Sequence, residues 1–195
     1  MSLLTYTDLV HLVANGVIEH SVPECVNGAS IDIRLGRYLH FESRPTMQQL
    51  SDPQFCIPLT EGEKLPLTTT AWDLVEQGDF ILQPGYCTLA QSLEIFHLPS
   101  NIAAEYKLKS SMARVFLEHL NAGWCDPGWN GSVLTLELRN LSTFHPIRLR
   151  YMDRIGQVVF FRGKKVPYEA SYASLGRYNG NKKVTGAKNI QGEQK

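Results

Sequence analysis

The run DPGWNGSVLTLELRN (126–140) sets a carboxylate, Glu137, inside a stretch of Val, Leu and Thr. Strand side chains alternate between faces. Val133, Thr135, Glu137 and Arg139 then share one face, and Leu134, Leu136 and Leu138 the other. On that count Glu137 is the wet side of a half-buried strand, as most strand carboxylates are solvated. Just upstream, KSSMAR (109–114) groups Lys109, Ser110, Ser111 and Arg114. Hydroxyls, cations and free N–H groups at a helix start suit an anion, although ordinary capping with a surface arginine fits as well. Metal chemistry through His and Cys finds no support. Of the six histidines only His40 opens an H-x-E (His40-Phe41-Glu42), and no P-C-x-x-C follows it because the four cysteines stand singly, so the His/Cys set of a zinc deaminase is incomplete and no zinc is expected. Ser nucleophile elbows and Walker A loops are also missing from the sequence.

Several elements must position these residues. TYTDLVHLVANG (5–16) predicts a short helix, with Thr5 and Asp8 as a capping box and Asn15-Gly16 as its stop. NGASIDIRLG (27–36) alternates Ile31, Ile33 and Leu35 against Ser30, Asp32 and Arg34, a strand with one polar face. Residues 44–70 read as an irregular excursion. DFILQPGYCTLAQSLEIFHLP (79–99) predicts two strands around Pro84-Gly85, and LKSSMARVFL (108–117) a second helix. FHPIRLRYMDRIGQVVFF (144–161) predicts further strands turning near Met152-Asp153. Many short strands with little helix argue an all-β sandwich or barrel.

The 195 residues, 43% hydrophobic and 19% charged, fit one globular domain over 1–195. No apolar run reaches the roughly 18 residues of a membrane span, and the start lacks signal-peptide features. A cytoplasmic protein with no membrane partner is the expectation. Net charge is zero, which gives no argument for nucleic acid. From Arg162 onward, however, eight Lys/Arg face two Glu. The polar, Gly- and Lys-rich stretch after Pro167 predicts a mobile C-terminal lid over about 168–195.

NGASIDIRLG, PGYCTLAQSLEIFHLP, KSSMAR, AGWCDPGW, LTLELRN, RIGQ and GRYNGN follow one another in the order and spacing of the dCTP deaminase branch of the dUTPase-like superfamily. The resemblance runs from about residue 3 to residue 190 and misses chiefly the excursion. It implies a distorted β-barrel (jelly-roll, β-clip type) with a few short helices, a homotrimer with active sites between subunits, and metal-independent hydrolytic deamination of dCTP to dUTP.

It also implies roles. Glu137 would be general base and proton shuttle, held ionised by Arg114, with Ser110 and the Ala122 carbonyl orienting the water. Thr135 and Leu136 would present backbone groups to the base, and Asp126 would contact the deoxyribose. Lys109, Ser111, Gln157, Tyr168, Arg177 and Asn181 would hold the triphosphate, accompanied by Mg²⁺. Relative to the family, Lys109 and Arg177 exchange cation types, Asn181 replaces a commoner Gln, and the turn before Glu137 is one residue longer, as a β-bulge would make it. Two further readings stay open. One is a bifunctional enzyme that carries dUTP on to dUMP and pyrophosphate through a water activated by Asp126, a reading Trp124 favours. The other is a non-catalytic nucleotide-binding regulator. The sequence also leaves open whether dTTP acts as a feedback inhibitor.

Overall fold

A computed structural model describes residues 2–52 and 69–188. In chain order the elements are β1 (Ser2–Leu3), α1 (Tyr6–Ala14), β2 (Ile18–Glu19), β3 (Ile31–Glu42), α2 (Met47–Leu50), β4 (Thr69–Asp73), β5 (Phe80–Leu82), β6 (Cys87–His97) and β7 (Ile102–Leu108). There follow α3 (Ser110–Ala113), β8 (Leu117–His119), β9 (Trp124–Cys125), β10 (Asn130–Asn140), β11 (Ile147–Leu149), β12 (Arg154–Arg162) and α4 (Tyr172–Leu175). The fold is mainly β, and its large sheet curls into a half barrel. Strands run β8-β10-β6-β3-β12-β7-β9, with β1 added to β12, β2 to β6 and β4 to β3, while β5 and β11 form a separate ribbon. Every pairing is antiparallel.

Alternation explains the core. Ile31, Ile33 and Leu35 of β3, Leu136 and Leu138 of β10, Phe96 of β6 and Phe160 of β12 are all buried. Helix α1 docks on them through Leu9 and Leu12, each such side chain contributing about 1.5–3 kcal/mol of apolar burial. Asn15 and Gly16 end that helix, Gly16 at φ +69°. The cap bond expected of Thr5 is not formed.

Three expectations need correction. Ser30, Asp32 and Arg34, read as a polar face, are buried, because β3 is covered on both sides. The helix predicted over 108–117 is the single turn α3; Phe116 at φ +65° then redirects the chain into β8. The two strands expected around Pro84-Gly85 are β5 and β6; they do not form a hairpin, since β5 joins β11 and β6 joins β3 and β10. Of the excursion, residues 47–50 form a helical turn, and 53–68, with Cys56, lie outside the described residues. Cys25 and Cys125 are buried thiols, while Cys87 is half-buried.

Candidate active site

Strand β10 departs twice from regular pairing with β6. Gly131, at φ +66°, is an extra residue between Asn130 and Ser132, a bulge that glycine enters without steric cost. Farther on, Val133 pairs with Ile95 and Thr135 with Gln91, so three β6 residues face Leu134 alone. The Leu134 N–H takes the Ser92 hydroxyl instead, at 2.8 Å. Strict alternation therefore fails here: Val133, Leu134 and Thr135 all reach one cavity of about 450 Å³. Glu137 points into the same cavity, while Leu136 faces the core.

Of the residues singled out in the sequence, this cavity gathers Ala122, Asp126, Thr135, Glu137 and Asn181. Its walls include Trp124, Trp129, Tyr172 and Tyr178. Burial pushes the Glu137 carboxyl above the usual carboxylate range, opposed only by a hydrogen bond from its own backbone. Among the described residues no cation pairs with it. Beside it, burial raises the Cys125 thiol to about 12, with Asp126 and Glu137 adding to the effect; this thiol stays protonated and inert. At the cavity mouth the Trp124 indole stacks on Phe161 and donates to Asp126 Oδ1 at 2.9 Å.

The other predicted residues lie elsewhere. Lys109 Nζ meets Asp32 Oδ1 at 2.6 Å, Arg154 approaches the other Asp32 oxygen at 3.6 Å, and Asn27 donates to Oδ1 at 2.9 Å. Gln157 Oε1 accepts from Ser30 Oγ at 3.1 Å beside them. Lys109 and Gln157 thus share a polar cluster around Asp32 that is separate from the cavity. Ser110, Ser111 and Arg114 are exposed on α3 and its end, so within one chain Arg114 does not meet Glu137. Val115, Phe116 and Leu120 are exposed beside them. Tyr168 and Arg177 are exposed and do not line the cavity.

Sequence reasoning missed Trp129, Tyr172 and Tyr178 as walls. The aromatic flanks of the CDPG and NGN turns were the available signal. The tail is also more built than its composition suggests. Residues 168–170 form a 3₁₀ turn, α4 follows, and Val184 and Ser171 are buried. Lys183 lies over the Tyr38 ring at 4.5 Å and Lys188 over Tyr178 at 5.1 Å.

A curated protein of Methanospirillum hungatei named "dCTP deaminase, dUMP-forming" is 36% identical over 83% of this chain and 86% of its own. A protein of the same name from Acidothermus cellulolyticus is 36% identical over 97% of this chain and 96% of its own. One from Thermobifida fusca is 40% identical over 84% and 79%. In fold, the chain matches a crystal structure of 2'-deoxycytidine 5'-triphosphate deaminase from Agrobacterium tumefaciens. The TM-score is 0.61 at 24% identity, over 83% of this chain and 48% of that one. A dCTP deaminase-like family model matches residues 3–163. With a match over most of its length and relatives above a third identical end to end, the chain belongs to the dCTP deaminase-like family of enzymes.

Proposed function

We propose that this protein is a dUMP-forming dCTP deaminase. Water replaces the amino group of dCTP, releasing ammonia; a second water then cleaves dUTP between the α- and β-phosphates to give dUMP and pyrophosphate. The observation that carries the reading is Glu137: a half-buried carboxylate, without a charged partner among the described residues, with its pKa raised, on the wall of a nucleotide-sized cavity. The names of the curated relatives favour dUMP as product over dUTP.

Glu137 takes the proton of the water attacking cytosine C4 and passes protons to N3 and to the leaving ammonia. The Ala122 carbonyl orients that water together with Ser110. Thr135 and Leu136 present backbone groups to the base. Ser110, Ser111 and Arg114 lie on the outer surface of their own chain next to exposed Val115, Phe116 and Leu120. This placement supports a cyclic homotrimer in which one subunit's α3 completes its neighbour's cavity, Arg114 approaching Glu137 and Lys109 and Gln157 serving the triphosphate. Asn181, Tyr168 and Arg177 contribute to the triphosphate from the tail. Asp126 contacts the deoxyribose and activates the second water: one of its oxygens is held by Trp124 and the other has no partner among the described residues. That free oxygen suits the Mg²⁺ accompanying a triphosphate, a hard cation whose chemistry is charge neutralisation. dTTP, a pyrimidine triphosphate of the same size, is the expected competitor, and the cytoplasm the expected setting.

Incubation with dCTP and Mg²⁺, followed by chromatography of dUTP and dUMP, tests the reading. dUMP supports it. dUTP alone means an enzyme that stops at deamination, and no turnover means a nucleotide-binding regulator. Asp126→Asn should lower the share of dUMP more than the consumption of dCTP.

A further inference from the structure

The bulge at Gly131 frees backbone groups of β10 from the ladder, and the tail takes them. Gly180 N–H donates to Asn130 O at 3.0 Å, and Val133 N–H to Asn181 O at 2.9 Å. The Asn130 N–H donates to Asn179 Oδ1 at 2.9 Å. A single buried hydroxyl ties both arms of this turn, since Ser132 Oγ donates to Tyr178 O at 2.8 Å and accepts from Asn181 N–H at 3.2 Å. Gly131 and Gly180, both at positive φ, face each other where the two segments meet; a Cβ on Gly131 would lie 3.8 Å from Gly180 Cα. Downstream, the Val184 N–H donates to the buried Gln91 Oε1 at 2.9 Å, and Lys183 sits on Tyr38. All these bonds lie within one chain, and none needs a phosphate to complete it.

We propose that Ser132 and Gln91 are positioning residues for the nucleotide site. They pin residues 178–184 as a strap across β10, so that Tyr178 and Asn181 wall the cavity whether or not nucleotide is bound. The strap narrows the expectation of a wholly mobile tail, because its anchored part does not have to order around the triphosphate. Its role toward dCTP rests on the function proposed above; the strap itself does not.

Limited trypsin digestion of the full-length enzyme without nucleotide reads the strap directly, because Lys182 and Lys183 lie inside it. Ser132→Ala and Gln91→Leu should each speed cleavage there about tenfold and raise KM for dCTP by a similar factor, with kcat within about twofold, as loss of one buried anchoring bond implies. Should Ser132→Ala be recovered unfolded, Gln91→Leu, which cuts the strap from the other side, decides. Wild-type cleavage at Lys182–Lys183 as fast as in the variants, or an unchanged KM in a folded variant, overturns the proposal. An enzyme that does not turn over dCTP at all overturns the functional reading, and the protease result still decides the strap.

Discussion

Glu94 on β6 and Glu137 on β10 belong to paired strands, and burial pushes both carboxyls upward. Their surroundings differ. Glu94 is fully buried and receives the Arg34 Nε at 2.8 Å and the Arg34 backbone N–H at 3.0 Å, which counter the burial. Arg34 also donates to the His20 carbonyl. Glu137 has a cavity where Glu94 has a guanidinium. A buried carboxylate with all its partners supplied holds strands together. One with no charged partner among the described residues is free to move protons and to take a counter-charge from a neighbouring subunit.

The sharpest way to break this contrast is Glu137→Gln. The amide keeps the shape but accepts no proton, so dCTP turnover should fall by about 10³ with folding retained by circular dichroism; activity within tenfold of wild type would sink the assignment. Arg114→Ala comes next, with turnover down about 10²-fold and each subunit's fold retained by circular dichroism, because the side chain is exposed in its own chain. Unaltered kinetics would mean that no neighbour's Arg114 serves Glu137.

Glu94→Ala should instead cost about 3–5 kcal/mol in urea unfolding, since it strands a buried guanidinium, and Arg34→Met with Glu94→Leu should recover most of that loss. A surface-like cost under about 1 kcal/mol would erase the distinction. The smallest effect is in pH. A carboxyl raised on folding favours the folded state at low pH, and that contribution is lost as pH rises through its folded value. Glu137→Gln should therefore unfold later than wild type at pH 7.5, with the gap closing toward about pH 4. Wild-type deamination should lose its base on an acid limb, and Arg114→Ala should move that limb upward. A constant gap in thermal midpoint across that range would show that Glu137 is solvated.

Local alternation made most strands legible, and with them the direction of Glu137 and the burial of Leu136 and Leu138. The motif order pointed to the family. What escaped was nonlocal. Ser30, Asp32 and Arg34 look like a wet face until β6 and β12 bring Glu94 and Gln157 against them. KSSMAR resembles a longer helix because nothing in its sequence announces the left-handed Phe116. The tail looks disordered by composition, yet its anchors, Ser132 and Gln91, lie some 50 and 90 residues away. Leu134 leaves its alternation because of a mismatch carried by β6, not by its own strand.

Gly131 has a consequence for phase. A residue added to a strand turns every later side chain to the opposite face; uncorrected, it would put Leu136 and Leu138 in the cavity and Glu137 in the core. Coiled into the left-handed region and left out of the ladder, Gly131 absorbs the extra residue and returns the strand to its original parity. The length of the turn after Trp129 is thereby uncoupled from the facing of Glu137. Chains with turns of unequal length can present the same carboxylate to the same cavity, provided the surplus residue tolerates a positive φ.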